Sequence, residues 1–361
     1  MRRRTFLATG GAIGGTGLAG CISREGDNGG TTGSTDEDDV LRVATYTSFV
    51  DAPSDSPGEW IADEFAERYD VEFEWHTPDQ EVNYYIERHN EGAAIEPELY
   101  LGLNPHEVVR ADENTDGDLF VETDEDALEN VDDVGEEHYF DPRGRVIPTY
   151  RSFCAIVYDG RNVEEPETFD DLLDPAYEGE IAVSDPQRGT TGLLFLLWTI
   201  DRFGEDGYLE YWEGLMENDI RVLDSWNEVY AQFEEEEVPV VVSYSNDRVY
   251  AKRFDNDLEK HRVALLNDQA YANVAGMGRF ADGTDDELAH QFMDFILEPE
   301  VQAVIAERNV TGPVNEKTEL PEVYEEYAKQ PDDAPFFDYD DLEANLSGWL
   351  DEWEQTVAGN H

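Results

Sequence analysis

The chain is short of lysine. Only Lys252, Lys260, Lys317 and Lys329 occur in 361 residues, and Lys and Arg together number 24 against 86 Asp and Glu. A formal net charge of −62 repels nucleic acid, so none is expected as a partner. Cysteine is scarce as well: Cys21 and Cys154 are the only two, and Cys154, inside an apolar run, reads as a small buried hydrophobe. No apolar run approaches the roughly eighteen residues of a membrane span; the longest is Leu193 to Trp198, continued by Thr199 and Ile200. The seven histidines show no HExxH, HxxxH or Cys-His spacing, so no metal is expected. Asp112, Asn114, Asp116 and Gly117 imitate the start of a calcium loop, but Thr123 stands where a clamping Glu belongs. Gly276-Met277-Gly278 lacks the third glycine of a dinucleotide fingerprint, and neither a phosphate loop nor GxSxG is present. Neither a cofactor nor an enzyme is expected.

What is present is enough for a core. A hydrophobic content of 40% with 12% aromatics argues against acidic disorder. Abundant carboxylate with little lysine suits a medium near molar salt, where the Debye length is roughly 3 Å and self-repulsion is tolerable. The charge then serves solvation, as in a halophile's protein. At the start, Arg2, Arg3 and Arg4 precede Thr5-Phe6-Leu7, a Gly-rich stretch and Leu18-Ala19-Gly20-Cys21. Residues 1–21 resemble a twin-arginine export signal ending in a lipobox, which implies a lipid on Cys21 and anchorage on the outer membrane face. Residues 22–40 are Gly, Ser, Thr and acid, a flexible tether.

From Leu41 onward, short β-branched runs alternate with 3.6-period segments, the pattern of an α/β fold. Strands are predicted at 41–46, 71–75, 99–103, 153–158, 180–184, 220–223, 238–244, 262–266 and 272–277. Helices are predicted, among others, at 59–69, 192–203, 226–236, 285–297 and 342–357. Some 320 residues beyond the tether are generous for one core, so two lobes are expected. Their limits are 41–139 with a return at 268–325 for the first lobe and 140–267 for the second, followed by a C-terminal helical segment at 326–361.

Several strand-to-helix junctions share one design. Ser225 and Glu228 form a capping box that sets Trp226 on a first helical turn. Tyr244 ends a strand, and Ser245 or Asn246 caps the helix that carries Tyr250. Asp185 follows another, and Thr190-Thr191-Gly192 opens an apolar helix. Small ligands of open α/β sheets bind at such carboxyl ends, and helix N-termini accept anions. Each junction also has a plain reading as cap or core.

Val43 to Phe49, Tyr100 to Asn104, Ser152 to Tyr158, Asp185-Pro186, Thr191 to Trp198, Ser225 to Tyr230, Val242 to Ser245 and Gly348 to Trp353 resemble, in that order, the thiamine-binding proteins of ABC transporters. The resemblance runs from about Leu41 to the C-terminus. It implies a two-lobed type II periplasmic-binding-protein fold, α/β in both lobes, with thiamine or its phosphates in the cleft between them. It implies further a monomeric, haloarchaeal-like lipoprotein outside the membrane that serves ABC permease and ATPase subunits. By position, Tyr46, Ser48, Trp226, Tyr244 and Tyr250 stand for the ligand cage, and Asp185, Thr190, Thr191 and Gly192 for the phosphate or hydroxyethyl end. The family's Trp-Gly-Pro-Gly type segment is replaced here by Ala52 to Gly58, with Trp60 displaced, and its later loop tryptophan is lacking in Arg308 to Pro313. The alternatives are a receptor of the same fold for iron, a polyamine or another heteroaromatic cation, and a secreted hydrolase. Ferric receptors use adjacent tyrosines, and the pair here, Tyr84-Tyr85, lies in a helical stretch.

Overall fold

The computed structural model describes residues 40–358. The expected export signal with Cys21, and the expected tether up to residue 39, lie outside the described residues. The first part of the chain runs β1 (Val40–Thr45), α1 (Thr47–Val50), α2 (Gly58–Tyr69), β2 (Glu72–His76), α3 (Val82–Glu91), β3 (Leu99–Leu103), α4 (Pro105–Asn114) and β4 (Phe120–Val121). A long strand, β5 (Val146–Tyr158), leads into β6 (Ile181–Ser184), α5 (Thr190–Phe203), α6 (Tyr208–Glu217), β7 (Arg221–Leu223), α7 (Trp226–Glu234), β8 (Val240–Tyr244), α8 (Asp247–Arg253) and β9 (Arg262–Ala264). A second long strand, β10 (Tyr271–Phe280), returns to α9 (Asp286–Leu297), α10 (Pro299–Arg308), β11 (Gly312–Pro313), α11 (Glu322–Tyr327) and α12 (Tyr339–Ala358).

All the strands join one mixed sheet in the order β2-β1-β3-β10-β5-β8-β6-β7, with β4 on β10 and with β9 and β11 on β5. At one end β1, β2 and β3 are parallel, and at the other β6, β7 and β8 are parallel. The long strands join the two sets: β10 is antiparallel to β3 and β5, and β5 is antiparallel to β8. Three reversals leave the two sets pointing at each other, so their carboxyl ends face across the middle of β5. Register measures the gap. Leu103, the last residue of β3, pairs Gly276, which pairs Pro148, whereas Tyr244, the last of β8, pairs Cys154. The six residues from Pro148 to Cys154, at about 3.3 Å each, separate the facing strand ends by roughly 20 Å along β5. This is the two-lobed α/β fold that the sequence predicts, with the cleft where the strands stop.

Aromatic side chains dominate the packing. In the first lobe Phe65 meets Phe292 edge-on at 5.2 Å and Phe295 at 5.4 Å. In the second, Val229, Phe233 and Val241 are fully buried around α7 and β8. Helix α12 packs on both α4 and α6: Trp353 lies edge-on to Trp212 at 5.4 Å, and the Tyr339 hydroxyl donates to Asp112.

Several boundaries differ from the sequence reading, and three of the differences have a visible cause. β5 begins at Val146, seven residues before the predicted Phe153. Pro148 and Arg151 break the apolar pattern there, yet Pro148 is tolerated because the β5–β10 register shifts between Ala275 and Gly276, opposite it. α7 stops at Glu234, since Glu236 turns left-handed at φ 61°. β9 stops at Ala264 and gives way to a turn with Asn267 at φ 55°. Asp112 and Asn114 end α4, and Asp112 is held in ion pairs by Arg143 and Arg145.

Candidate functional site

The first wall of the cleft starts at Tyr46, which follows β1. Gly102, at φ 106° in β3, lets the Tyr46 ring lie against that strand, since a Cβ there would stand 2.6 Å from a ring carbon. The Tyr46 hydroxyl accepts from the Tyr150 hydroxyl at 2.9 Å and from Asn309 Nδ2 at 2.9 Å, and burial holds its pKa well above the usual tyrosine value. Ser48, in α1, is half-buried beside it in sequence. Asn104 follows β3 and caps α4, and its side chain accepts from Asn273 Nδ2 of β10 at 2.7 Å.

The second wall is built from α7 and β8. Ser225 Oγ accepts from the Glu228 N–H at 3.3 Å, the predicted cap. Trp226, half-buried on the first turn, stacks on Tyr230 at 4.9 Å and 25°, and its indole N–H donates to Ser243 Oγ at 3.0 Å. Its ring lies 6.2 Å from that of Tyr244. Tyr46 is tied to β5 through Tyr150, four residues before Cys154, which pairs Tyr244, so Tyr46 on one side and Trp226 with Tyr244 on the other border the same stretch of β5. Tyr250 turns elsewhere. It is 8% exposed and packs on Tyr230, Phe254 and His261 in the core of the second lobe.

The third group sits at the end of β6. Gly192 is required there because a Cβ would collide with the Ser184 carbonyl. Ser184 Oγ accepts from the Gly192 N–H at 2.8 Å and lies 2.9 Å from Thr191 Oγ1, so Thr191, 1% exposed, spends its hydroxyl inside the fold. Thr190 stays half-buried at the helix start. Asp185 accepts from the Gln187 N–H at 2.8 Å, and Arg188 reaches Asp185 at 3.8 Å and Asp224 at 2.8 Å.

Sequence reasoning missed Tyr150, Tyr100, Glu81 and Glu107. Glu107 is 4% exposed, and its Oε2 accepts from the Asn104 backbone N–H at 2.8 Å in a capping box. Burial pushes Glu81 up to about 8, helped by repulsion from Glu107, and pushes Glu107 up to about 7. Both carboxylates also act through space on Tyr46 and Tyr244. The capping-box spacing from Asn104 to Glu107 was the one local signal.

The two segments that depart from the expected pattern carry polar links. Asp55 pairs Arg253 of α8 at 2.5 Å, and Asn309 bonds Tyr46. Val310, in the same loop, is left-handed at φ 55°, an unusual conformation for a β-branched residue. Cavities of 330 Å³ beside Arg248, Arg262 and Lys329 and of 620 Å³ beside His89 and Asn114 include none of the expected ligand residues. Among the described residues no group of three or more His, Cys, Asp and Glu is arranged to hold a metal ion, and no helix is long and apolar enough to cross a membrane.

Known proteins share this architecture. A thiamine-binding periplasmic protein of Salmonella typhimurium is 25% identical over 324 residues, 88% of this chain and 94% of that one. Its counterpart from Escherichia coli K12 is 27% identical over 213 residues, 59% of this chain, and the match spans 64% of the E. coli protein. Among solved structures, a periplasmic thiamin binding protein superposes with a TM-score of 0.77 at 24% identity, covering 88% of this chain and 96% of that one. The ferric binding protein from Campylobacter jejuni superposes with a TM-score of 0.71 at 16% identity, covering 88% and 99%. The sequence model of the bacterial extracellular solute-binding proteins matches residues 112–344, and the chain belongs to that family.

Proposed function

We propose that this solute-binding protein is the receptor for thiamine or its phosphates and delivers them to the permease and ATPase subunits of an ABC importer. The observation that carries the reading is the placing of Tyr46 on one side, and of Trp226 with Tyr244 on the other, of the stretch of β5 where the facing strand ends leave a gap. A flat pyrimidine stacks on such rings, and a thiazolium cation gains from their quadrupoles. The thiamine-binding relatives support the same ligand. In this reading the protein works as a monomer outside the membrane, held by a lipid on Cys21, with lobes at 41–139 plus 268–325 and at 140–267. Calorimetry in molar salt is expected to show one thiamine per chain, without turnover. No binding would remove thiamine while leaving the family standing, and turnover would move the protein to the hydrolases. A polyamine is the second reading, favoured by the carboxylates of Glu81 and Glu107, whose charge raises the Tyr46 and Tyr244 pKa values, and spermidine outcompeting thiamine would establish it. Cys21→Ala is expected to release the folded protein from membranes into the soluble fraction; membrane retention of the variant would remove the anchor.

A further inference from the structure

One short helix of the second lobe, α8, is bonded to the first lobe at both of its ends. At its start, Asn246 Nδ2 donates to the Thr311 carbonyl oxygen at 3.2 Å, next to the residue pair Gly312 and Arg151 that joins β11 to β5. At its end, Arg253 Nη1 donates to Asp55 at 2.5 Å and to the Glu307 carbonyl oxygen at 3.0 Å, while its Nε lies 3.1 Å from the Glu307 carboxylate. The side chains of Arg253, Asp55 and Glu307 are 18%, 20% and 26% exposed, so the three charges are largely withdrawn from the salt that would screen them.

Both partners of Arg253 belong to the segments that carry Tyr46. Asp55 follows Tyr46 through α1, in a loop that Ser56 Oγ fastens to the Val50 carbonyl oxygen at 2.7 Å. Glu307 stands two residues before Asn309, whose amide bonds the Tyr46 hydroxyl. Helix α8 itself belongs to the opposite wall. It starts three residues after Tyr244, and its first residue, Asp247, accepts from the hydroxyl of Tyr230, the ring on which Trp226 stacks. His261 Nδ1, at 2.8 Å, steadies the other oxygen of Asp247. A single arginine therefore connects the wall of Trp226 and Tyr244 to the wall of Tyr46.

We propose that Arg253 is the clasp of the receptor: its guanidinium, bound to Asp55 and Glu307, holds the two walls together and sets how long a solute is retained. The inference rests on the receptor reading and goes beyond it in naming the residues that control release; it does not depend on which solute is carried. Arg253 is a positioning residue, acting through the segments it ties. Lobes that part about β5 leave the Asn246 bond near the pivot, whereas Arg253, about 10 Å along the helix, loses its partners. Opening then costs three charge-assisted contacts and leaves Asp55 and Glu307, two like charges, without their shared cation.

The test is stopped-flow tryptophan fluorescence of the full chain with thiamine in molar salt, with small-angle X-ray scattering and thermal midpoints of the same samples. Arg253→Met should speed thiamine release about tenfold and leave the association rate near the parent's, because the clasp forms after encounter. Arg253→Lys, which can keep one partner, should fall between the two. Arg253→Glu should release as fast as Arg253→Met, and adding Asp55→Arg, which again sets one cation between two carboxylates, should restore slow release. Asp55→Asn removes one link and serves as the milder variant if Arg253→Met does not fold. Without solute, scattering of Arg253→Met should give a larger radius of gyration than the parent. Release unchanged by Arg253→Met, no recovery in the charge swap, or a radius of gyration equal to the parent's would overturn the clasp, and a lower thermal midpoint as the sole effect would mark Arg253 as packing only. If thiamine does not bind the parent, the thiamine reading fails by itself, and the scattering still decides the clasp.

Discussion

Two pairs of carboxylates in the first part of the chain's fold meet opposite fates. Asp112 and Asp141 close on Arg145, whose side chain is 4% exposed and lies 2.6 Å from the first and 2.8 Å from the second. Hydrogen bonds from Arg145 outweigh the cost of burial and hold the Asp141 carboxyl below its ordinary range. Glu81 and Glu107 have no such partner, and burial drives them the other way. The difference teaches where a charge belongs. A carboxylate given an internal cation stays ionised and becomes part of the scaffold, whereas one denied a cation is pushed toward its protonated form.

The comparison breaks most violently at the scaffold end. Arg145→Met leaves the buried Asp141 carboxylate without its cation, while Asp112 keeps Arg143, and should cost about 3–5 kcal/mol of stability, read as a large fall in the thermal midpoint in molar salt. A midpoint unchanged from the wild type would show that Arg145 is not the cation that holds the pair. Next in size is the cleft wall. Trp226→Ala removes a half-buried stacking face and should weaken thiamine binding by about 1–3 kcal/mol, measured by calorimetry, while circular dichroism stays that of the parent. Unfolding instead would mark Trp226 as core.

The smallest effect sharpens the contrast most. Glu81 has a native pKa above its unfolded one, so the native state holds the extra proton and stability is lost as pH rises from about 4 through about 8. Glu81→Gln should therefore raise the thermal midpoint at pH 9 by roughly 2 °C and change it little near pH 4. Asp141 has the opposite sign: its contribution is present above about 3.9 and is lost as pH falls below that value. Equal gains for Glu81→Gln at pH 4 and pH 9 would show that its carboxyl titrates normally.

Much of the framework was legible because its signals are local. Leu99 to Leu103 is a short apolar run, and it is β3 to the residue. Ser225 and Glu228 announce a helix start at the position found. The site was legible only in part. Tyr150 sits in the half of β5 that Pro148 and Arg151 disguise, and among 86 acids the spacing from Asn104 to Glu107 marks a helix start but not the burial of Glu107. Thr191 and Tyr250 show the converse. Their positions at strand ends are readable, but whether a side chain turns to the cleft or to the interior depends on neighbours such as Ser184 and Tyr230 that are remote in sequence.

The path of the chain has a consequence for its biosynthesis. The strand and helices that complete the first lobe, β10, α9 and α10, come after the whole of the second, and α12, which ends at Ala358, packs on both α4 and α6. On a ribosome delivering the chain from its N-terminus, β1 to β4 emerge early and wait, with the apolar faces of β1 and β3 lacking their partners, while more than half of the polypeptide is still to be made. Neither lobe can be sealed until nearly the last turn of α12 has left the exit tunnel. Completion of both lobes thereby waits for α12, and a truncation in α12 would be felt at α4 and at α6 at once.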